Sequence, residues 1–311
     1  MKNSNRAVSQ LTTTLHKLFM HKENLQELTA TETSAGLSTG RSHDLNRSSK
    51  IGLVYLYSVP LLTLLLGFGV GHVDRQLYLP AWLLNTLMMA LALRQLLRSR
   101  PGKNALLIGT ALLLIVPWII FPVFAGMGRP PQTIRGWLEL ESEQHARFNL
   151  LILGGILAYL GTALLYQLLK LKDRLFSTLG MAIMTLAMPL FVINMGYWGS
   201  FLSASFQNFK TANRPDWYLA FRELFFLISI AEVSLLYLAT AMFAIASGKA
   251  GYLKPAAIRA YVIISICAGL INLIPPSAPD PFSTISYLVS IPAIPFIMFY
   301  FMGINLLLQK P

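Results

Sequence analysis

The chain has 311 residues, of which 55% are hydrophobic and only 12% charged, and its mean hydropathy is +0.57. A soluble globular chain carries roughly 25% charged residues. The deficit excludes an ordinary soluble enzyme, an intrinsically disordered chain and a nucleic-acid reader, and points to a polytopic membrane protein. The single cysteine, Cys267, excludes an internal disulfide framework and a paired-thiol metal site.

Residues 1–50 form a polar, basic segment in which no apolar run follows the first basic residues, so it does not read as a secretory signal. Within it Val8, Leu11, Leu15, Leu18, Phe19, Leu25 and Leu28 recur at spacings of three and four. That period predicts an amphipathic surface helix, with Lys17 and Lys22 toward anionic headgroups. Thr12–Thr14 oppose it by lowering helix propensity. Residues 1–28 are also the expected contact for a membrane or cytoplasmic protein partner, and 29–50 read as a Ser/Thr/Gly-rich linker.

The remainder, 51–311, reads as an all-α transmembrane helix bundle. A crossing helix needs about 20 mostly apolar residues, and eight stretches have that length: 51–71, 79–97, 104–127, 148–170, 174–198, 218–247, 256–275 and 284–308. Helices are expected because backbone groups in lipid must be satisfied within their own segment. The period-2 alternation of a membrane barrel is absent. Pro60, Pro117, Pro122, Pro189, Pro292 and Pro295 fall inside spans one, three, five and eight, where kinks or breaks are expected.

Charge sets the expected orientation. With both termini in the cytoplasm, eighteen basic residues fall inside against five acidic ones, and six basic against six acidic fall outside. Arg222, Glu223 and Glu232 remain within span six. The bias follows the positive-inside rule at every connection, so the pI of about 9.9 is a topology signal. Its even spread between short loops suggests a bacterial-type plasma membrane.

Two outer connections exceed a simple hairpin. Residues 128–147 predict a short interfacial helix anchored by Trp137. Residues 198–217, with Trp198, Phe201, Phe206, Phe209 and Trp217, predict a segment lying along the membrane surface. Pro275, Pro276, Pro279 and Pro281 predict a short, stiff last outer turn.

No haem, metal or other cofactor is expected, and no catalytic residue is assigned. The five histidines lie outside the span interiors, whereas axial haem ligands belong on facing helices. A metal held by His72, His145 and nearby Asp74 or Glu143 is conceivable, but solvent-facing interfacial histidines are the simpler expectation. The stretch Glu141-Ser142-Glu143-Gln144-His145-Ala146-Arg147 is similar to the paired-glutamate and arginine motif of the intramembrane prenyl-protease family. It departs from it where Ser142 replaces the first glutamate, and no later span supplies the histidines of that site. A Gly-x-Ser-x-Gly elbow, a P-loop and a zinc helix signature are all absent.

The strongest single signal is Glu232. An ionisable group at that depth costs about 2.5–3.5 kcal/mol on insertion scales, so it must face protein or water. Ser229 lies one turn away, and Arg222 and Glu223 lie two to three turns nearer the outer surface. Asn85, Asn194 and Asn272 share the outer half. Together these residues outline a candidate polar cavity; apart, they are ordinary interhelical hydrogen-bond residues.

The reading favoured by these features is a transporter or permease-like protein using an outer-half cavity around Glu232. Small loops, the basic tail and the missing catalytic constellation suit a non-catalytic membrane subunit, scaffold or sensor instead. The third is a lipid-modifying membrane enzyme built on His72, His145 and Glu143.

Overall fold

A computed structural model of the chain describes residues 47–99, 102, 104–131, 133–208, 216–275 and 278–309. The chain divides into two units, Met1–Leu45 and Asn46–Pro311. The expected surface helix and partner contact within residues 1–28, and nearly all of the expected linker 29–50, lie outside the described residues.

The second unit is an integral-membrane helix bundle. Among the described residues seven helical runs are long and apolar enough to cross a membrane: Ser48–Val70, Arg75–Arg98, Ala105–Ala125, Glu141–Leu169, Arg174–Asn208, Trp217–Lys249 and Pro255–Asn272. In chain order the helices are α1 (Arg47–Leu65), α2 (Arg75–Arg98), α3 (Ala105–Ile115), α4 (Pro117–Ala125), α5 (Ile134–Glu139) and α6 (Glu141–Leu169). They continue with α7 (Arg174–Gly196), α8 (Leu202–Asn208), α9 (Asp216–Lys249), α10 (Pro255–Asn272), α11 (Phe282–Val289) and α12 (Phe296–Leu308).

Local chemistry sets several boundaries. The Asp74 carboxylate accepts from the Gln76 amide at 2.7 Å and caps α2, and Asn104 caps α3 through the Leu106 amide at 2.9 Å. Pro117 cannot continue the α3 ladder, so one span becomes α3 and α4 in succession. Proline acts more strongly at the end of the chain. The expected span 284–308 is two shorter helices, α11 and α12, separated at Ser290–Pro295 where Pro292 and Pro295 remove donors.

Two surface expectations change. A short helix, α5, does form between 128 and 147, but Trp137 is buried in protein rather than anchored at a membrane interface. It stacks on Phe148, meets Phe206 edge-on and donates to Ser203 Oγ at 3.0 Å. After α7 the chain continues through a π-helical turn, Tyr197–Phe201, into α8. Tyr197 stacks on Phe225 with ring centroids 4.0 Å apart, and Phe201 and Phe206 pack on Phe221 and Tyr218 of α9, whereas Trp217 is exposed and Phe209 lies outside the described residues.

At the centre α9 packs along α7 and α10, α6 packs on α3, α4 and α7, and α12 packs on α3. Trp118, Phe121, Phe191, Phe296, Phe299 and Tyr300 fill the space between them. Two of their polar handles fasten distant segments: Trp118 Nε1 donates to the Phe296 carbonyl at 3.2 Å, and Tyr300 Oη to the Leu56 carbonyl at 2.6 Å.

Candidate functional site

Glu232 is residue 17 of the 34 in α9. At 1.5 Å per residue the helix is about 51 Å long, so the carboxylate sits midway along it. Its side chain is fully buried, as is that of Asn194 on α7. The Asn194 amide nitrogen donates to Glu232 Oε2 at 2.7 Å. Glu232 Oε1 and Asn194 Oδ1 are both buried without a hydrogen-bond partner among the described residues. Carboxylate and amide thus form one contact across the α7–α9 interface and keep one unmatched oxygen each.

The interruption between α11 and α12 packs on residues adjoining this pair. Val233, the next residue after Glu232, belongs to a buried cluster with Tyr237, Ala268 and Met298, against which Val289 and Ile294 pack. Phe191, one turn before Asn194, meets Phe296 edge-on at a centroid distance of 6.0 Å. The residues just before and just after the Ser290–Pro295 interruption therefore flank the layer holding Glu232 and Asn194.

The other candidate residues are placed elsewhere. Asn272 on α10 donates to the Ile230 carbonyl and to Ser234 Oγ, both at 2.9 Å. Position 234 is about 200° around the helix from 232, so Asn272 grips the far side of α9. Asn85 receives the Tyr55 hydroxyl at 2.6 Å and joins α1 to α2. Ser229 is half-buried on α9. Arg222 and Glu223 are exposed and pair with each other at 3.0 Å. Of the seven candidates, direct contact joins Glu232 to Asn194 and Arg222 to Glu223.

The outer histidines also separate. His72 Nε2 lies 3.1 Å from Glu143 Oε2, while His145 Nε2 lies 3.9 Å from Glu141 on its own helix. Positions 143 and 145 point to nearly opposite sides of α6. Among the described residues no group of three or more His, Cys, Asp or Glu side chains could hold a metal ion.

Two residues outside the candidate set emerge at the same end. Arg147 is buried and donates to the carbonyls of Met127 and Gly128 at 3.0 and 2.9 Å, closing the end of α4. Gln144, one turn before it, is fully buried with neither side-chain polar atom partnered among the described residues. The glycines of Gly126-Met127-Gly128 are the sequence signal for such exposed carbonyls; nothing in the sequence marks Gln144.

No protein-family model matches the chain, and no curated protein and no solved structure matches it.

Proposed function

We propose that the chain is a transporter-like protein of a bacterial-type plasma membrane, in an occluded arrangement, with Glu232 as the ionisable group that carries a proton during solute movement. The observation behind it is a buried carboxylate–amide pair midway along a membrane helix, flanked by the interruption between α11 and α12. Intramembrane carboxylates are expensive and mark ion or proton paths, and broken helices at mid-depth are a device of secondary transporters. A proton suits the pair because the Asn194 N–H occupies Glu232 Oε2 and leaves Oε1, unmatched among the described residues, to take it. Exchange with either side of the membrane requires α7 and α9 to part or α11 and α12 to swing.

Proteoliposomes loaded with a pH-sensitive dye and challenged with a panel of sugars, amino acids and organic acids test this. The native chain is expected to couple at least one solute to a pH change, and Glu232→Gln to assemble normally without it. Equal coupling in Glu232→Gln overturns the role of the carboxylate.

A second reading, a non-catalytic membrane subunit or scaffold, is favoured by Tyr55–Asn85 and Asn272–Ser234, which clasp helices two by two. Copurification of a stable partner that is lost on deletion of residues 1–28, with no coupled flux in the panel, would select it.

A further inference from the structure

A groove of about 450 Å³ runs along the membrane-facing surface between α6 and α7 and is lined by Tyr166, Thr178, Met181, Ala182, Thr185 and Leu186. Its walls are effectively apolar. The Thr185 hydroxyl is used internally, by the Met181 carbonyl at 2.9 Å and by Tyr159 Oη at 3.3 Å. From Thr178 to Leu186 the groove follows α7 for about 12 Å along the helix axis, starting one turn from the α6–α7 connection.

The α6–α7 connection, one turn from the end of this groove, is basic. Lys170 places its ammonium 5.9 Å from the centre of the Tyr166 ring, itself part of the lining. Lys172 and Arg174 follow within four residues, both exposed and without an acidic partner among the described residues. The one acid in the connection, Asp173, is buried and already faces Lys249 at 3.6 Å, while that ammonium also lies 4.3 Å from the Phe176 ring centre. Asp173 therefore leaves the three neighbouring charges uncompensated. The first turn of α7 has no side-chain cap, so its backbone N–H groups add positive potential at the same place.

We propose that this groove holds one anionic phospholipid of the adjoining leaflet, with an acyl chain along Met181–Leu186 and the phosphodiester at Lys170, Lys172 and Arg174. An apolar trough alone would accept any lipid; the uncompensated cations of the connection select a negative headgroup. Each basic residue near a membrane surface contributes about 1 kcal/mol toward anionic lipid, a factor of about five. The site is independent of the transport reading, because it lies on the membrane-facing side of α6 and α7.

The full-length protein reconstituted with equimolar phosphatidylglycerol and phosphatidylcholine, then released in mild detergent, tests the site by native mass spectrometry of retained lipid. Phosphatidylglycerol is expected to be retained over phosphatidylcholine by at least about fivefold. Lys170→Gln, Lys172→Gln and Arg174→Gln combined should abolish the preference. Ala182→Phe, which fills the trough without altering charge, should lower retention of both lipids. Lys172→Gln alone, at an exposed position, gives a smaller loss of preference should the triple variant fail to fold. Equal retention of the two lipids, or an unchanged preference in the charge variants, overturns the proposal. Displacement of the lipid by glycerol phosphate at comparable concentration also overturns it, by identifying a soluble phosphate site.

Discussion

The Tyr237 hydroxyl donates to the Val289 carbonyl at 3.0 Å, joining the middle of α9 to the last residue of α11. Carbonyls at a helix end have no intrahelical partner, and in a membrane no water replaces the missing donor. Tyr237 thereby makes the interruption between α11 and α12 tolerable. Tyr237→Phe keeps the ring in its cluster with Val233, Ala268 and Met298 and should destabilise by about 1–2 kcal/mol. Tyr237→Ala should cost about 3–5 kcal/mol, because it also leaves a cavity. Thermal unfolding in detergent measures both. No loss in Tyr237→Phe would mean that the hydroxyl contributes nothing.

Asn194 and Glu232 invite a double-mutant cycle. Asn194→Leu removes the donor to a fully buried carboxylate, and stability should fall by about 1–3 kcal/mol. Combining Asn194→Leu with Glu232→Met removes both polar groups and should recover most of that loss, as replacing a whole buried polar pair commonly does. The same unfolding assay reads the coupling. Simple additivity of the two changes would show that the contact is energetically silent.

These two contacts mark the boundary of what could be read in the chain. Seven spans were legible because hydropathy and length alone specify a crossing helix, and Pro292 and Pro295 located the weak point of an eighth. That they separate two helices rather than kink one depends on Tyr237 supplying a donor from a remote segment to the end of α11. The partner of Glu232 was not legible. Asn85, Asn194 and Asn272 share a depth by topology, but depth does not order helices sideways. Packing puts Asn194 beside Glu232, Asn272 on the far face of α9 and Asn85 with α1. Trp137 misleads similarly: its loop position suggests an interface, and only the folded position of Phe148 and Phe206 shows it covered.

Gly155 on α6 lets the Phe191 ring lie directly on the helix backbone. A Cβ at this position would stand 2.4 Å from the ring, and the ring is fully buried among other aromatics. Gly155→Ala must displace Phe191, which lies one turn from Asn194, at a cost of about 1–3 kcal/mol. Any coupled flux should fall with it. Full stability in this variant would show that the ring can move aside freely.

Asp280, in the connection before α11, accepts hydrogen bonds from the Ser283 and Thr284 hydroxyls. These hold its carboxyl below the usual carboxylate range. A depressed value means that the contribution to the start of α11 is present at neutral pH and is lost only as pH falls through that lower value. Ser283→Ala with Thr284→Val should move the carboxyl midpoint upward, followed by carbon-13 NMR of a selectively labelled chain. An unchanged midpoint would show that the hydroxyls do not set it.

The end of α4 is tied to its neighbours through Gly126, Met127 and Gly128. The φ of Gly128 is +66°, and a Cβ there would stand 2.6 Å from the His72 backbone nitrogen. The latter is an obstacle of main chain that cannot rotate away. Its carbonyl meanwhile accepts from buried Arg147 at 2.9 Å. Gly128→Ala combines left-handed strain of about 1–2 kcal/mol with displacement of His72, and should be the more damaging of two changes made here. His72→Gln removes only the pair with Glu143, in which both side chains are partly exposed, and should cost no more than about 1 kcal/mol. Melting temperatures in detergent give the order. A His72→Gln loss equal to that of Gly128→Ala would place the fastening in the ion pair rather than in the backbone contact.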